Sequence, residues 1–420
     1  MKTRSRQLCT VAITWFCFGF IASALSADGG AVPAAVPAVD ARSVAQNSAV
    51  KPSLSEVREE LLELAFQTAS AIPTKPHVKD RSRAQEAVVR ACVQLDQPAR
   101  AARYADAIED WRRGTAYADL ALYFARLEQP ESARRFAGMA GGVADGATEW
   151  RRARILIGIA KTHAVLGDTR EAAEVESRVA ASERGKVDRA RAMVGNEREF
   201  DAQLGEVTAV VASGNFDLIR DKLEACTELH DRFYDSTARR TLVETTIKSS
   251  WDKLPLLVRV ELLQSLAQAA LRHQDQASAL RLVNDASAIV GTTEWIKEDG
   301  IVLKARLAGL RARAGERVDA RAALNALLAS YDADRSKIVD IYRAGCLRAI
   351  AEAYQDAGDS VASLATYRRA IEEAIVNPNS RPRAEDLSAT CISMALGDVQ
   401  LDSTMRSRLH ELSGGLGSPW

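Results

Sequence analysis

The 420-residue chain is poor in the residues that build most active sites. Its five histidines, His77, His163, His230, His273 and His410, are scattered along its length. No HExxH, GxSxG, P-loop or GxGxxG element stands in a usable context, so the common hydrolase, nucleotide and zinc chemistries have no motif to rest on. An excess of one charge is also missing: 56 basic side chains face 56 acidic ones. A nucleic-acid protein normally carries a basic footprint, and a membrane-surface protein a basic face, so this balance excludes both as a general mode of binding. After Ala24 no apolar run is long enough to cross a membrane.

What the chain does have begins at its first residues. Lys2, Arg4 and Arg6 precede an apolar stretch from Leu8 to Ala24, and small residues follow at Ala22, Ala24, Ser26 and Ala27. This order reads as a secretory signal peptide over 1–27, cleaved after Ala24 or Ala27. An uncleaved anchor in the inner membrane is the alternative. Neither Cys9 nor Cys17 stands at the cleavage site, which argues against a lipoprotein. Loss of the three basic residues leaves 53 against 56, a net of −3. The expected location is therefore exported, periplasmic or secreted, with no membrane contact after cleavage. Residues 28–52, rich in Ala, Val and Pro, read as a flexible leader.

Beyond the leader one pattern recurs. An apolar helical run ends, two turn residues follow, and a second Ala-rich run begins. LeuGlyAsp at Leu166–Asp168, AlaGlyGlu at Ala314–Glu316, AlaGlyAsp at Ala357–Asp359 and LeuGlyAsp at Leu396–Asp398 are the clearest turns. Aligned on the first turn residue, the anchors are Asp96, Glu128, Gly167, Gly214, Gln274, Gly315, Gly358 and Gly397. Their separations are 32, 39, 47, 60, 41, 43 and 39 residues, so the array is irregular. The widest gap leaves room for an extra helix over Arg239–Lys253.

Small residues stand five positions after most anchors (Ala101, Ala133, Ala172, Ala279, Ala320, Ser363) and seven before them (Ala121, Ala160, Ala267, Ala308, Ala351). Small side chains on both arms let two helix axes approach closely. Larger apolar residues, such as Leu347, Ile350 and Tyr354, then Leu364, Tyr367 and Ile371, keep helical rather than strand spacing. Gly167, Gly315, Gly358 and Gly397 fit left-handed helix ends. Pro98 and Pro130 suit a first helical turn. Ser53 with Glu56, Ser82 with Gln85 and Asp168 with Glu171 have capping-box spacing, which would start a lone helix near Leu54–Ala71, the first repeat helix, and the second arm after Gly167.

A hairpin with Gly-Asp at its turn and Ala five residues on resembles the tetratricopeptide repeat (TPR), most clearly at Ile157–Glu176 and Ala349–Ala370. AspTrpArgArg at Asp110–Arg113 and GluTrpArgArg at Glu149–Arg152 resemble a divergent bacterial TPR-like class in which Trp-Arg-x-Ala opens the first helix. The resemblance covers Ala84 to Leu412. It implies an all-α solenoid of about seven to eight irregular TPR-like hairpins over 53–413, with a flexible tail at 414–420. It also implies binding of peptides or protein segments on a concave face.

The Trp-Arg elements are the strongest local signal for a site. A basic residue in a helix's first turn opposes the helix dipole, so Arg112, Arg113, Arg151 and Arg152 must gain something elsewhere. With Trp111 and Trp150 they form either a wedge between units, paired to a neighbour's acids, or an aromatic-basic row for an acidic peptide or a glycan. Trp295, with Lys297, stands similarly. Cys226 and His230 share a helix face at i and i+4, but two ligands do not complete a zinc site, and a core role is expected. Cys92, Cys226, Cys346 and Cys391 fall at different heights of their hairpins, so buried free thiols are expected; Cys346 with Cys391 is the least unfavourable bridge. Paired carboxylates, Glu59/Glu60 and Glu372/Glu373, sit on charged helix faces.

The expectation is an exported, non-enzymatic scaffold or adaptor that binds a protein or peptide partner in the cell envelope, with no cofactor and no metal. The alternatives are a helical enzyme or binding protein acting on envelope polysaccharide, and a spacer tethered by an uncleaved N-terminus.

Overall fold

Seven of the eight expected turns close by the same bond. The N–H of Gln97, Gln129, Asp168, Asp275, Glu316, Asp359 and Val399 each donates to the carbonyl five residues back, at 2.8–3.2 Å. This is the Schellman closure, which needs a left-handed residue at the bend. Gly167, Gly315 and Gly358 supply it with φ of 76°, 106° and 70°. Asp96, Glu128 and Gln274 adopt it without glycine, at φ of 58°, 57° and 59°. In the last turn Gly397 stays helical at φ −79°, and Asp398 takes the bend at φ 53°.

The computed structural model describes residues 54–420, and these form 19 α-helices with two short 3₁₀ turns. The signal segment 1–27 and the leader 28–52 lie outside the described residues. Helix α1 (Glu56–Ala71) precedes nine hairpins. The first four are α2 (Thr74–Gln94) with α3 (Pro98–Asp106), α4 (Arg112–Arg126) with α5 (Pro130–Asp145), α6 (Glu149–Leu166) with α7 (Thr169–Ser177), and α8 (Ala181–Val194) with α9 (Glu197–Ser213). Then come α10 (Phe216–Arg232) with α11 (Thr237–Ser249) and α12 (Leu256–Arg272) with α13 (Gln276–Thr292). The last three are α14 (Lys297–Arg313) with α15 (Arg317–Asp334), α16 (Asp340–Asp356) with α17 (Ser360–Ala374), and α18 (Ser380–Leu396) with α19 (Ser403–Gly414).

The small residues do what their spacing predicts. Ala101, Ala133, Ala172, Ala279, Ala320 and Ser363 are buried, as are Ala121, Ala160, Ala267, Ala308 and Ala351. The uneven spacing has a simple cause. Three helices, not two, separate Gly167 from Gly214, and three separate Gly214 from Gln274. Gly214 therefore joins the second arm of one hairpin to the first arm of the next, while the other anchors join the two arms of one hairpin. The extra helix expected near Arg239–Lys253 is α11, followed by the 3₁₀ turn Trp251–Lys253.

Two expected capping boxes are not formed. Ser82 is buried inside α2, which starts earlier, at Thr74, and Gln85 reaches Ser70 instead. The Asp168 carboxylate makes no cap bond, because Arg134 and His163 hold it at 2.8 and 3.2 Å. A complete box stands elsewhere, at Asn196 with Glu199. At the first helix the cap is Ser55, which accepts from the Arg58 N–H.

Each even-numbered helix from α2 to α18 packs on the even-numbered helices before and after it, and α18 packs on α2. The first arms thus form a closed inner circuit of nine helices, with the second arms outside. Helix α1 is not alone: it lies along α18 and α2 and seals the seam. Ser388 donates to the Ala65 carbonyl at 3.0 Å, and Arg83 pairs with Glu385 at 2.7 Å. Glu60 holds both Arg406 and His410. After Gly414 the chain returns to the start of α18, where the Ser380 N–H donates to the Pro419 carbonyl at 2.8 Å. With neighbouring axes roughly 9–10 Å apart, nine helices in a circle place opposite axes roughly 28 Å from each other. The lumen inside this circuit includes a cavity lined by α4, α6, α8, α10 and α12. One outer helix returns between successive inner ones, so all nine inner helices run in the same direction. Their starts share one rim of the lumen and their ends the other.

Among the described residues, Cys92, Cys226, Cys346 and Cys391 lie in this packed framework, all free and buried. Burial pushes each thiol up to about 12.

Candidate functional site

The two Trp-Arg elements open neighbouring inner helices, so the ring brings them together. The Trp111 and Trp150 rings meet edge to face, with centroids 5.1 Å apart and planes at 80°. The close approach of α4 and α6 below them depends on glycine. A Cβ on Gly158 would stand 2.6 Å from that of Ala118, and one on Gly114 would stand 2.7 Å from the tip of Ile155.

The four expected arginines divide. Arg112 pairs with Asp110 at 2.7 Å and, across to α2, with Glu86 at 3.6 Å. Glu86 is 3% exposed, and Arg90 and Thr115 also donate to it. Arg152 donates to the Ala144 and Asp145 carbonyls at 3.0 and 2.9 Å, satisfying the end of α5. Arg113 is half-buried and its Nε has no hydrogen-bond partner. Arg151 lies 5.7 Å from the Trp150 ring, and neither it nor Arg113 makes an ion pair among the described residues. Trp150 itself is 55% exposed. Trp295 does not join this cluster: its indole N–H donates to the Val290 carbonyl, and Lys297 pairs with Asp334.

Three further cations stand on the same two inner helices, Arg154 beside the Trp pair and Arg126 and Lys161 towards the far ends. Arg154, on α6, stands 5.7 Å from the Trp111 ring. Lys161 follows seven residues later on the same face of α6. Arg126 ends α4. None of the three makes an ion pair among the described residues. Arg126 and Arg154 are open to solvent, yet protein surrounds them inside the ring, and burial lowers the pKa of all three. Carboxylates offset this only in part: Glu228 for Arg126, Glu86 for Arg154 and Asp119 for Lys161. Neighbouring cations work against them, Arg189 at Arg126 and Lys161, and Arg90 with Arg112 at Arg154. The sequence signal was present in TrpArgArgAlaArg at Trp150–Arg154. The missing knowledge was which arginines have counter-ions.

Across the lumen the balance reverses. Glu261 on α12 is pushed up to about 7, first by burial and then by Glu224 of α10, with Arg306 and Arg220 opposing. Arg126, Arg154 and Lys161, in no ion pair among the described residues, thus lie on α4 and α6, whereas Glu224 and Glu261 lie on α10 and α12. The rim that carries the helix starts also exposes Phe216, Leu256, Ile296 and Val339, each within the first residues of an inner helix or just before it.

His230 is 1% exposed, 3.6 Å from Glu244, and Cys226 is core. Among the described residues no group of three or more His, Cys, Asp or Glu could hold a metal ion. No described helix is long and apolar enough to cross a membrane. Glu59 pairs with Arg100, Glu372 with Arg408 and Glu373 with Arg335. No family model, curated protein or solved structure matches this chain.

Proposed function

We propose that this chain is an exported, non-enzymatic scaffold of TPR-like descent that binds a protein or peptide partner in the cell envelope. The observation that carries the reading is the Trp111–Trp150 pair at the lumen rim, flanked by Arg151 and Arg154, neither of which makes an ion pair among the described residues. An exposed indole beside guanidinium groups that make no ion pair suits a partner segment with acidic and aromatic or apolar side chains. The apolar residues around the same rim favour a protein over a glycan, since they offer area that a sugar would leave wet. Binding is non-covalent. The closed circuit holds these groups in place before the partner arrives, which limits the ordering cost.

The test is cross-linking in the native cell, affinity capture and mass spectrometry, run with the wild type and with Trp150→Ala/Arg154→Ala. The reading expects one recurrent envelope protein, lost in the variant at unchanged helicity. Capture that survives the variant, or only envelope polysaccharide, contradicts it.

A further inference from the structure

We propose that the opposite end of the lumen contains an oxyanion site, in which Arg126 of α4 and Lys161 of α6 clasp a ligand's carboxylate or phosphate group. A cavity of about 460 Å³ lies there, lined by five consecutive inner helices, α4, α6, α8, α10 and α12. All its wall residues come from the later turns of those helices, so it is separate from the Trp pair. Lys161 lies eleven residues beyond Trp150, roughly 16 Å along α6.

The cations of this cavity are of two kinds. Arg189 and Arg272 already have carboxylates, Glu228 at 2.6 Å and Asp231 at 3.1 Å. Arg126 makes only a bond of 3.2 Å to the Met193 sulfur, and Lys161 makes no hydrogen bond among the described residues. Arg126 gains from the negative end of its own helix, whose last residue it is. Lys161 stands five residues before the end of α6 at Leu166 and lacks that support. Two charges crowded by Arg189, only partly offset by carboxylates and in no ion pair among the described residues, face one cavity. An oxyanion between them would accept from both through charge-assisted bonds and offset the repulsion that each feels from Arg189. Gln268 of α12 adds an exposed amide to the wall. The volume far exceeds the ~30 Å³ share of one water, so it admits the anionic group together with the molecule that carries it.

The site is independent of the partner reading, and its test needs no partner. Thermal unfolding and isothermal titration of the full chain are run with sodium phosphate and with glutarate, at ionic strength matched by sodium chloride. The expected result is a saturable rise in Tm with at least one of them. It should weaken at least tenfold in Arg126→Met/Lys161→Met and persist in Lys161→Arg. A response to phosphate alone assigns a phosphorylated ligand, and one to glutarate alone a carboxylate such as an acidic peptide. If the double variant fails to fold, Lys161→Met alone carries the comparison. The proposal is overturned by the absence of a saturable rise with either anion, or by an equal rise in the variant, which would be a general salt effect.

Discussion

Arg58, near the start of α1, donates through Nε to the Ala395 carbonyl at 2.8 Å, across 337 residues of chain. A second nitrogen reaches the Leu396 carbonyl at 3.2 Å. These are among the last carbonyls of α18, which have no partner within their own helix. One side chain thus caps the final inner helix and ties the two ends of the array together.

Replacing this side chain, Arg58→Ala, should cost about 1.5–3 kcal/mol, the range for hydrogen bonds to a charged group. The loss should be local. Hydrogen exchange should quicken in α1, α18 and α19 before α8 to α12. Uniform quickening would mean that the seam is not a distinct unit.

The contact between α4 and α6 predicts a contrast between two glycines. Gly158→Ala places a methyl 2.6 Å from Ala118 Cβ, and neither backbone-bound group can swing away. It should destabilise by about 1–3 kcal/mol, the usual cost of overpacking. Gly138→Ala, on the outer helix α5, meets nothing within 4 Å. It should stabilise by about 0.5–1 kcal/mol through helix propensity. Chemical denaturation reads both, and equal signs would contradict the packing described.

The lumen should also be visible in the pH dependence of stability. Glu261 is raised from 4.5 to about 7, so the folded chain holds this proton more tightly than the unfolded chain. For such a group the stabilising contribution is complete below the unfolded value and is lost as pH rises through the folded one. Glu261→Gln should therefore gain stability relative to the wild type as pH climbs from about 4.5 to about 7, by a few degrees of Tm. A difference that does not change with pH would place Glu261 in open solvent.

Much of this architecture was legible in the sequence, because it is written in local chemistry. The bends at Asp96, Glu128 and Gln274 adopt left-handed backbone although none is glycine, and their register alone marked them. The buried small residues followed from the same register. Closure was not legible, since Arg58 and Ala395 carry no mark of each other until nine hairpins have curved back. The shift of register at Gly214 was hidden for a similar reason: its turn has the same left-handed glycine as the others but joins different arms. At the site, Trp111 and Trp150 were readable as a motif, whereas the value of each arginine depends on neighbours. Glu86 occupies Arg112, and the end of α5 occupies Arg152. Arg154 and Lys161, which the motif did not single out, are left free to act.

The closed circuit is the claim on which the rest depends, and Thr68 and Ser413 offer the most direct measurement of it. Their hydroxyl oxygens lie 2.7 Å apart across the seam between α1 and α19. That separation puts their Cβ atoms roughly 4–5 Å apart, within reach of a disulfide. In Thr68→Cys/Ser413→Cys, mild oxidation of the dilute, folded protein should form an internal bridge. It should appear as a faster-migrating monomer on a non-reducing gel and as a raised Tm. Thiols that stay free, or that link only between molecules, would mean that the ends do not meet and that the array is an open superhelix.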